Sequence, residues 1–367
     1  MKVFLSQADF NTAMQITQKA VSQKSLLPIL SGILLNINEE SIDLYSTDLE
    51  MSIKHNIACR IENRKDSSSF VIPARLTADI VKSLPDSKVS LNVDEKNSNV
   101  KITCGQCEFE VKTMPAEDYP GFPTLQKDIV IVVDGKKLSE AVKQVIKAAS
   151  KDETRPILCG ILLVIEKGRL RLVATDSYRL SIRETAIGGK DVELKAIVPA
   201  RCMDEVSRVC NNEEVEVGLA KNQIYFKTKS TTIVSRLIEG NFPNYQQLLP
   251  DGCEVKVKLN REGFINSLKR VSILAQNNTL VKIKIMSSSI QLMAASVDIG
   301  SAVEELEAQV DGEGMEIAFN PQFLVDGLNS ISEEEVFIEL NSPLRPGIIR
   351  PVKTQDFIYL IMPIRLG

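Results

Sequence analysis

The sequence lacks tryptophan and contains a single histidine, His55. One histidine nearly excludes Ser-His-Asp triads, histidine-dependent acid–base catalysis and zinc sites rich in imidazole. A glycine-rich phosphate loop is also missing, which argues against nucleotide hydrolysis. We therefore predict a protein that has no metal, no cofactor and no enzymatic activity of its own.

Long apolar runs are absent as well. No stretch approaches the ~18 uninterrupted apolar residues of a membrane span, and Asp9 interrupts the first apolar residues too early for a signal peptide. The seven cysteines form an odd, scattered set, as expected where thiols stay reduced. These features predict a cytoplasmic protein.

Cys104 and Cys107 have the C-x-x-C spacing of redox and zinc motifs. Their flanks, 100–103 and 108–111, have the pattern of strands, so the motif is predicted to be the tip of a hairpin. Redox pairs need a helix N-terminus to lower the thiol pKa, and zinc would need a second pair or histidines. A structural turn is the favoured interpretation, and a cytosolic thiol enzyme remains an alternative.

One module occurs three times along the chain, which organises the whole sequence. The segment 28–35 reads PILSGILL and returns at 156–163 as PILCGILL, and the Thr-Asp pair 47–48 returns at 175–176, both 128 residues later (28 to 156, 48 to 176). The segment 71–75 reads VIPAR and returns at 197–201 as IVPAR. A fainter third copy has LMAAS at 292–296 and AFNP at 318–321.

Segments rich in proline and glycine, 115–123 and 240–252, close the first two copies. The sequence therefore predicts three domains, 1–127, 128–252 and 253–367, each of about 120 residues, a comfortable domain size.

Each copy is predicted to contain two helices, and alternating runs such as 69–72 and 214–217 predict half-buried strands between them. The first helices carry a one-sided apolar stripe: Phe10, Ala13, Met14, Thr17 and Val21; Leu138, Ala141, Val142, Val145 and Ala149; Phe264, Leu268, Val271 and Ala275. The second helices start after Pro73, Pro199 and Pro321, with Leu76, Ile80 and Leu84; Cys202, Val206 and Val209; Leu324, Leu328 and Ile331. Two helices against antiparallel sheet in each domain define an α+β fold class.

Positive charge gathers on these helices, although Asp and Glu (48) outnumber Lys and Arg (44) in the chain. Lys136, Lys143, Lys147 and Lys151 share one helical face because they follow steps of seven and four. A solvated face explains any single helix, but bases on five of six equivalent helices favour a polyanionic partner. No aromatic residues interleave with them, so we expect contact with duplex phosphates without base readout.

Several motifs together resemble those of the bacterial sliding clamps, the β subunits of DNA polymerase III. They are Pro-Ile-Leu-x-Gly, the run 174–180 (ATDSYRL), VPAR at 198–201 and MPIRL at 362–366. The resemblance covers the whole chain. It implies a head-to-tail homodimer of three-domain subunits that closes into a ring around double-stranded DNA. It also implies loading by an ATP-driven clamp loader, and a clamp that tethers the polymerase and confers processivity without catalysis.

In this family, linear motifs of the polymerase α subunit, the loader and repair proteins bind a groove between the second and third domains. The resemblance places this groove at Arg155, Leu158, Thr175, Ser177, Tyr178, Arg179, Leu180, Pro243, Leu248, Met362, Pro363, Ile364, Arg365 and Leu366. Of these, Arg155, Arg179 and Arg365 are expected to be available for partner carboxylates or carbonyls. Tyr178 and Gln247 depart from the family's usual His and frequent Arg, so we expect a changed partner preference.

Without the resemblance, the leucines of this set are typical of ordinary core positions, and 362–366 of a terminal strand. Further residues are expected to face DNA (Lys24, Arg75, Lys143, Lys147 and Arg201) or, by resemblance, to form the dimer interface (Phe109, Ile273 and Leu274). A multidomain scaffold that binds proteins without encircling DNA is a second alternative.

Overall fold

The structure is a computed structural model that describes residues 1–22, 27–62, 68–94, 98–125, 129–188, 192–210, 213–275, 280–296 and 300–365. The helices in these ranges are α1 (Gln7–Thr17), α2 (Ala74–Ser83), α3 (Gly135–Val145), α4 (Ala200–Val209), α5 (Arg261–Val271) and α6 (Pro321–Asn329). None of them is long and apolar enough to cross a membrane.

The strands of the first repeat are β1 (Lys2–Ser6), β2 (Gly32–Ile37), β3 (Ser41–Thr47), β4 (Met51–Ala58), β5 (Arg60–Glu62), β6 (Ser69–Pro73), β7 (Lys88–Asp94), β8 (Asn99–Cys104), β9 (Cys107–Lys112) and β10 (Met114–Pro115). The second repeat has β11 (Ile129–Asp134), β12 (Gly160–Glu166), β13 (Arg169–Thr175), β14 (Arg179–Ala186), β15 (Leu194–Pro199), β16 (Glu214–Ala220), β17 (Gln223–Lys227) and β18 (Thr231–Arg236). The third has β19 (Val255–Asn260), β20 (Val281–Ile285), β21 (Ser289–Ser296), β22 (Gly300–Glu307), β23 (Gln309–Asp311), β24 (Glu316–Phe319), β25 (Glu335–Leu340), β26 (Gly347–Pro351) and β27 (Phe357–Ile361). The α+β class is confirmed.

The helices begin where the sequence supplies a cap. The Ser6 side chain accepts a hydrogen bond from Asp9 N at the start of α1, and Asn260 does the same for Gly263 N at the start of α5, at 2.8 Å. The predicted stripe of α1 is buried through Thr17, whereas Val21 lies beyond the helix end in extended backbone.

Of the three apolar residues predicted for the second helix of the first repeat, Leu84 is buried and Ile80 packs against the core, but Leu76 is 54% exposed. The core face of this helix carries the smaller residues Ala74, Thr77 and Ala78, together with Val81. These follow the i, i+3, i+4, i+7 spacing of one helical face, which leaves Leu76 outside it.

The strands form four antiparallel sheets, and two of them run across the predicted domain boundaries. The first nine-stranded sheet has the order β10-β6-β2-β3-β4-β18-β17-β16-β11, and the second has β15-β12-β13-β14-β27-β26-β25-β19-β23. In the first sheet β4 of repeat one pairs with β18 of repeat two, and in the second β14 pairs with β27 of repeat three.

The chain divides into two compact units that differ from the repeats. Unit 1 comprises residues 1–136 and 205–237, and unit 2 comprises residues 137–204 and 238–367. The reason is the sheet pairing: β16–β18 of the second repeat continue a sheet of the first, whereas β12–β15 continue a sheet of the third.

Candidate partner-binding site

A tight loop between β13 and β14 displays part of the predicted site. Asp176 Oδ1 accepts hydrogen bonds from the backbone N–H of Tyr178 and of Arg179, both at 3.0 Å. Thr175 Oγ1 accepts from Ser177 N at 3.2 Å, and Ser177 has a φ of 79°, a left-handed conformation. The loop is therefore held by its own side chains, and Tyr178 projects with 60% of its surface exposed.

Arg179 lies largely inside the protein, whereas the sequence predicts a side chain that is available to a partner. Its side chain is only 11% exposed and lies between two carboxylates, with Nε 3.0 Å from Asp176 Oδ2 and Nη1 2.6 Å from Asp326 Oδ2. The guanidinium also stacks on Phe323, 4.3 Å from the ring centre. Burial alone would lower the pKa of Arg179, but contacts with Tyr359, Asp326 and Asp176 outweigh burial and raise the pKa above its ordinary value. Arg179 is thus a permanently charged internal link between β14 and α6.

The apolar residues of the predicted groove differ in exposure. Leu180 (1% exposed) and Leu158 (9%) are buried, whereas Leu248 (44%) and Met362 (37%) are open to solvent. Leu180 belongs to a buried cluster with Tyr245 and Leu360. Leu158 and Leu180 are therefore buried, as is typical of core positions, whereas Leu248 and Met362 offer apolar surface.

Residues 362–364 run alongside the loop. Met362 N donates to Tyr178 O at 2.8 Å, and Ile364 N donates to Ala318 O at 2.8 Å. These two bonds bring residues 362–364 next to both the loop of repeat two and β24 of repeat three. Pro363 is half-buried and Arg365 is exposed. Leu366 lies outside the described residues.

The remaining rim residues are polar or exposed. Arg155 Nη1 donates to Ser177 Oγ at 3.3 Å while its Nε contacts Asp152 Oδ2 at 3.1 Å. Arg155 is exposed, so a partner can reach it. Pro243 is also exposed, on the segment that leads to Tyr245.

Phe323 is an aromatic wall that sequence reasoning missed. Its ring centre lies 6.4 Å from that of Tyr178, with the two planes tilted by 31°. The helical spacing of α6 could have identified it. Phe323 immediately precedes the buried Leu324 and therefore lies off the row of buried residues of this helix.

The other predicted functional residues are spread over both units. Arg75, Lys143, Lys147 and Arg201 are exposed, and Lys24 lies outside the described residues. Of the predicted interface residues, Ile273 is 64% exposed, and Phe109 and Leu274 are half-buried.

The C-x-x-C pair is a hairpin tip, as predicted. Cys104 ends β8 and lies opposite Cys107, the first residue of β9. Both thiols are free, and burial, with a further contribution from Cys107, raises the pKa of Cys104. A raised pKa is the opposite of what an attacking thiolate needs.

Comparison with solved structures defines the class as the three-domain DNA clamp fold. The β subunit of DNA polymerase III from Thermotoga maritima superposes with a TM-score of 0.93 at 31% identity, over 100% of both chains. The DNA polymerase sliding clamp of Bacillus subtilis does so with a TM-score of 0.91 at 29% identity, also over 100% of both chains.

Family models of the DNA polymerase III β subunit match successive parts of the chain: the N-terminal domain at residues 1–123, the central domain at 132–244 and the C-terminal domain at 246–365. A beta sliding clamp of Staphylococcus aureus is 31% identical over 366 residues, 97% of either chain. The chain therefore belongs to the family of bacterial DNA polymerase III β subunits.

Proposed function

We propose that the chain acts in the cytoplasm as a processivity clamp: two copies close head to tail into a ring around duplex DNA, without catalysing a reaction. The observation that supports closure best is a pair of open sheet edges, one in each unit. Within the described ranges β9 pairs only with β8, and β22 pairs only with β21. The free backbone groups of an edge strand are a template for pairing with another chain.

Apolar side chains accompany these edges. Val303 on β22 is 60% exposed, Ile273 is 64% exposed, and Phe109 on β9 is half-buried. Pairing β9 of one copy with β22 of the other would cover such surface. Because every copy offers one edge of each kind, two copies make two identical contacts, and a heterologous contact of this kind closes when the rotation allows it.

The exposed bases Arg75, Lys143, Lys147 and Arg201 support weak, sequence-independent contact with phosphates, and we include Lys24 in this set. In this proposal the three domains are 1–127, 128–252 and 253–367. The ring is opened by a clamp loader. The site of Tyr178, Leu248 and Met362 recruits linear motifs, including that of the polymerase III α subunit. Neither alternative, a scaffold without DNA nor a thiol enzyme, has support from the family comparisons or from the buried Cys104.

The test combines the interface with retention on DNA. Ile273→Lys/Leu274→Lys places unpaired charge in the contact, at a cost of several kcal/mol. We expect wild-type chain to sediment as a dimer, to stay on nicked circular DNA after loading and to slide off once the DNA is linearised. The double variant should sediment as a monomer at micromolar concentration and should not be retained.

Leu344→Lys is the matched control, because Leu344 is 66% exposed but lies between β25 and β26. It should remain dimeric and be retained. A double variant that stays dimeric would contradict the interface, and salt-resistant, sequence-selective binding to linear DNA would contradict the clamp mechanism.

A further inference from the structure

Beyond the pairing of β14 with β27, two polar contacts tie the loop 175–179 to the third repeat. One is the hydrogen bond from Met362 N to Tyr178 O. The other is Arg179, whose Nη1 reaches Asp326 of α6 and also donates to Tyr359 Oη at 3.3 Å. Tyr359 Oη in turn donates to Phe323 O at 2.9 Å, so β27 also contacts the backbone of α6.

The chemistry of this contact requires an arginine. A guanidinium presents its donors in a planar fork, so Nε can serve Asp176 while Nη1 serves Asp326. Its flat face remains free to stack on Phe323. The three charged side chains are 11% (Arg179), 14% (Asp176) and 16% (Asp326) exposed, and charge-assisted bonds with so little access to water are strong.

The two carboxylates have different tasks. Asp176 caps the loop's own backbone, so its removal would unfold the turn. Asp326 has no bond to the loop backbone among the described contacts, and its other oxygen accepts from Gln322 Nε2 on the surface of α6 at 2.9 Å. Asp326 therefore acts on the loop only through Arg179.

We infer that Asp326 is a positioning residue of the partner site: through Arg179 it holds the loop 175–179 on α6, so that Tyr178 and Phe323 face a bound motif at a fixed separation. This inference rests on the proposed function. A pre-positioned wall lowers the conformational cost of binding, and its loss is felt mainly as faster dissociation.

Asp326 is also the informative residue to change. If Asp326 is replaced by alanine, Arg179 keeps Asp176 as its partner, so no unpaired charge is left buried. Replacing Arg179 would instead leave two carboxylates without a cation and could unfold the region.

The experiment uses the full-length dimer and a C-terminal peptide of the polymerase α subunit. Asp326→Ala should bind the peptide ~10-fold more weakly, mostly through faster dissociation, which is the scale at which residues within a contact network modulate binding. Hydrogen exchange at the amides of Tyr178 and Arg179 should become faster. Asp326→Glu, which keeps the charge, should restore part of the affinity, and Asp326→Ala should lose some thermal stability because its bond with Arg179 is removed.

Asp356→Ala is the matched control. Asp356 pairs with Arg183, which lies on the same strand β14, four residues beyond Arg179. The control leaves Arg183 unpaired, so it should lose more stability than Asp326→Ala and yet keep the peptide affinity. Equal peptide affinity of wild type and Asp326→Ala, or an equal loss in Asp356→Ala, would overturn the positioning role. A wild-type dimer that does not bind the peptide would overturn the proposed function itself.

Discussion

The loops 47–51 and 175–179 occupy equivalent positions in the first two repeats and share one backbone design. In the first, Asp48 Oδ1 accepts from Glu50 N at 3.1 Å and from Met51 N at 2.7 Å, and Leu49 has a φ of 74°. In the second, Asp176 makes the same pair of bonds and Ser177 takes the left-handed conformation. The bond from Met362 N to Tyr178 O also has a counterpart, from Arg236 N to Glu50 O at 2.9 Å.

The side chains around the two loops differ. In the first repeat the Tyr45 ring packs against two other aromatic rings. Its centre lies 5.4 Å from that of Tyr119 and 5.2 Å from that of Phe122, and both contacts are edge to face. The position equivalent to Tyr45, at the offset of 128, is Val173, and Phe122 in the run Tyr-Pro-Gly-Phe (119–122) corresponds to Tyr245 in the run Phe-Pro-Asn-Tyr (242–245). Val173 is smaller than tyrosine and packs in a cluster with Tyr245 and Phe242, whereas Leu248 is open to solvent.

The comparison teaches how a repeated module becomes a site at one copy only. The backbone turn is retained in both copies, but the buried ring of Tyr45 in the first is replaced by the smaller Val173 in the second, where Leu248 and Met362 are exposed. Met51, the counterpart of Arg179, is buried and cannot form a charged link.

The largest effect should come from removing the buried ring of Tyr45 in the first repeat. Tyr45→Val removes a ring that is 2% exposed, its two aromatic contacts and the hydrogen bond from its hydroxyl to Gly121 O. We expect the free energy of unfolding of unit 1 to fall by about 3 kcal/mol, the scale for large-to-small changes in a core. Urea unfolding followed by circular dichroism measures the change.

Tyr178→Val is the matched control for this change. Tyr178 is 60% exposed, so the same substitution there should alter stability by no more than about 0.5 kcal/mol. If both variants lost the same free energy of unfolding, the ring contacts of Tyr45 would not stabilise the first repeat as expected.

The repeated fold was predictable from the sequence because the module occurs three times. A helix or strand whose pattern is ambiguous in one copy can be assigned from the equivalent segments of the other copies. Side-chain size alone does not identify a core face: Leu76 of α2 is exposed, whereas the smaller Ala74, Thr77 and Ala78 face inward. The division into two compact units was also hidden, because pairing between β4 and β18 and between β14 and β27 crosses repeat boundaries.

For the site, sequence motifs identified the loop but not what holds it. Arg179 was expected to be free, whereas its partners Asp326 and Tyr359 lie 147 and 180 residues farther along the chain. No periodicity or spacing connects residues so distant. The grouping of these positions into one binding groove stays a prediction until a partner is measured.

A smaller effect should come from truncating the exposed Met362 beside the loop of the second repeat. Met362→Ala truncates an exposed apolar side chain beside Tyr178 and should lower the affinity for the polymerase peptide by ~1–2 kcal/mol, the usual scale for an anchor contact. Calorimetry measures the affinity, and the ring and its retention on DNA should be unchanged. Arg236 is the counterpart of Met362 beside the loop of the first repeat, and Arg236→Ala should bind the peptide like wild type. An equal loss in both variants would erase the distinction between the copies.

The smallest effect concerns protonation, and it distinguishes the pairs that join each repeat to the next. In the first copy His55 Nδ1 lies 2.8 Å from Thr231 Oγ1, across the pairing of β4 with β18, whereas the equivalent residue of the second copy is Arg183, paired with Asp356. Burial lowers the pKa of His55 below its ordinary value, although Asp9 and Glu213 act in the opposite direction. The folded state thus binds the proton less readily than the unfolded state. Well above about pH 6.5, the ordinary pKa of histidine, His55 is neutral in both states and contributes no pH dependence.

As the pH falls below that value the unfolded chain takes up the proton first, so stability is lost until the pH drops below the folded pKa as well. His55 is the only histidine in the chain, and arginine does not titrate in this range, so the loss should be confined to unit 1. Urea unfolding at pH 7.5, 6.5 and 5.5 should show a decline in wild type that is weaker in His55→Gln. Parallel pH profiles of the two chains would show that carboxylates, rather than the neutral pair of the first copy, set the acid limit of stability.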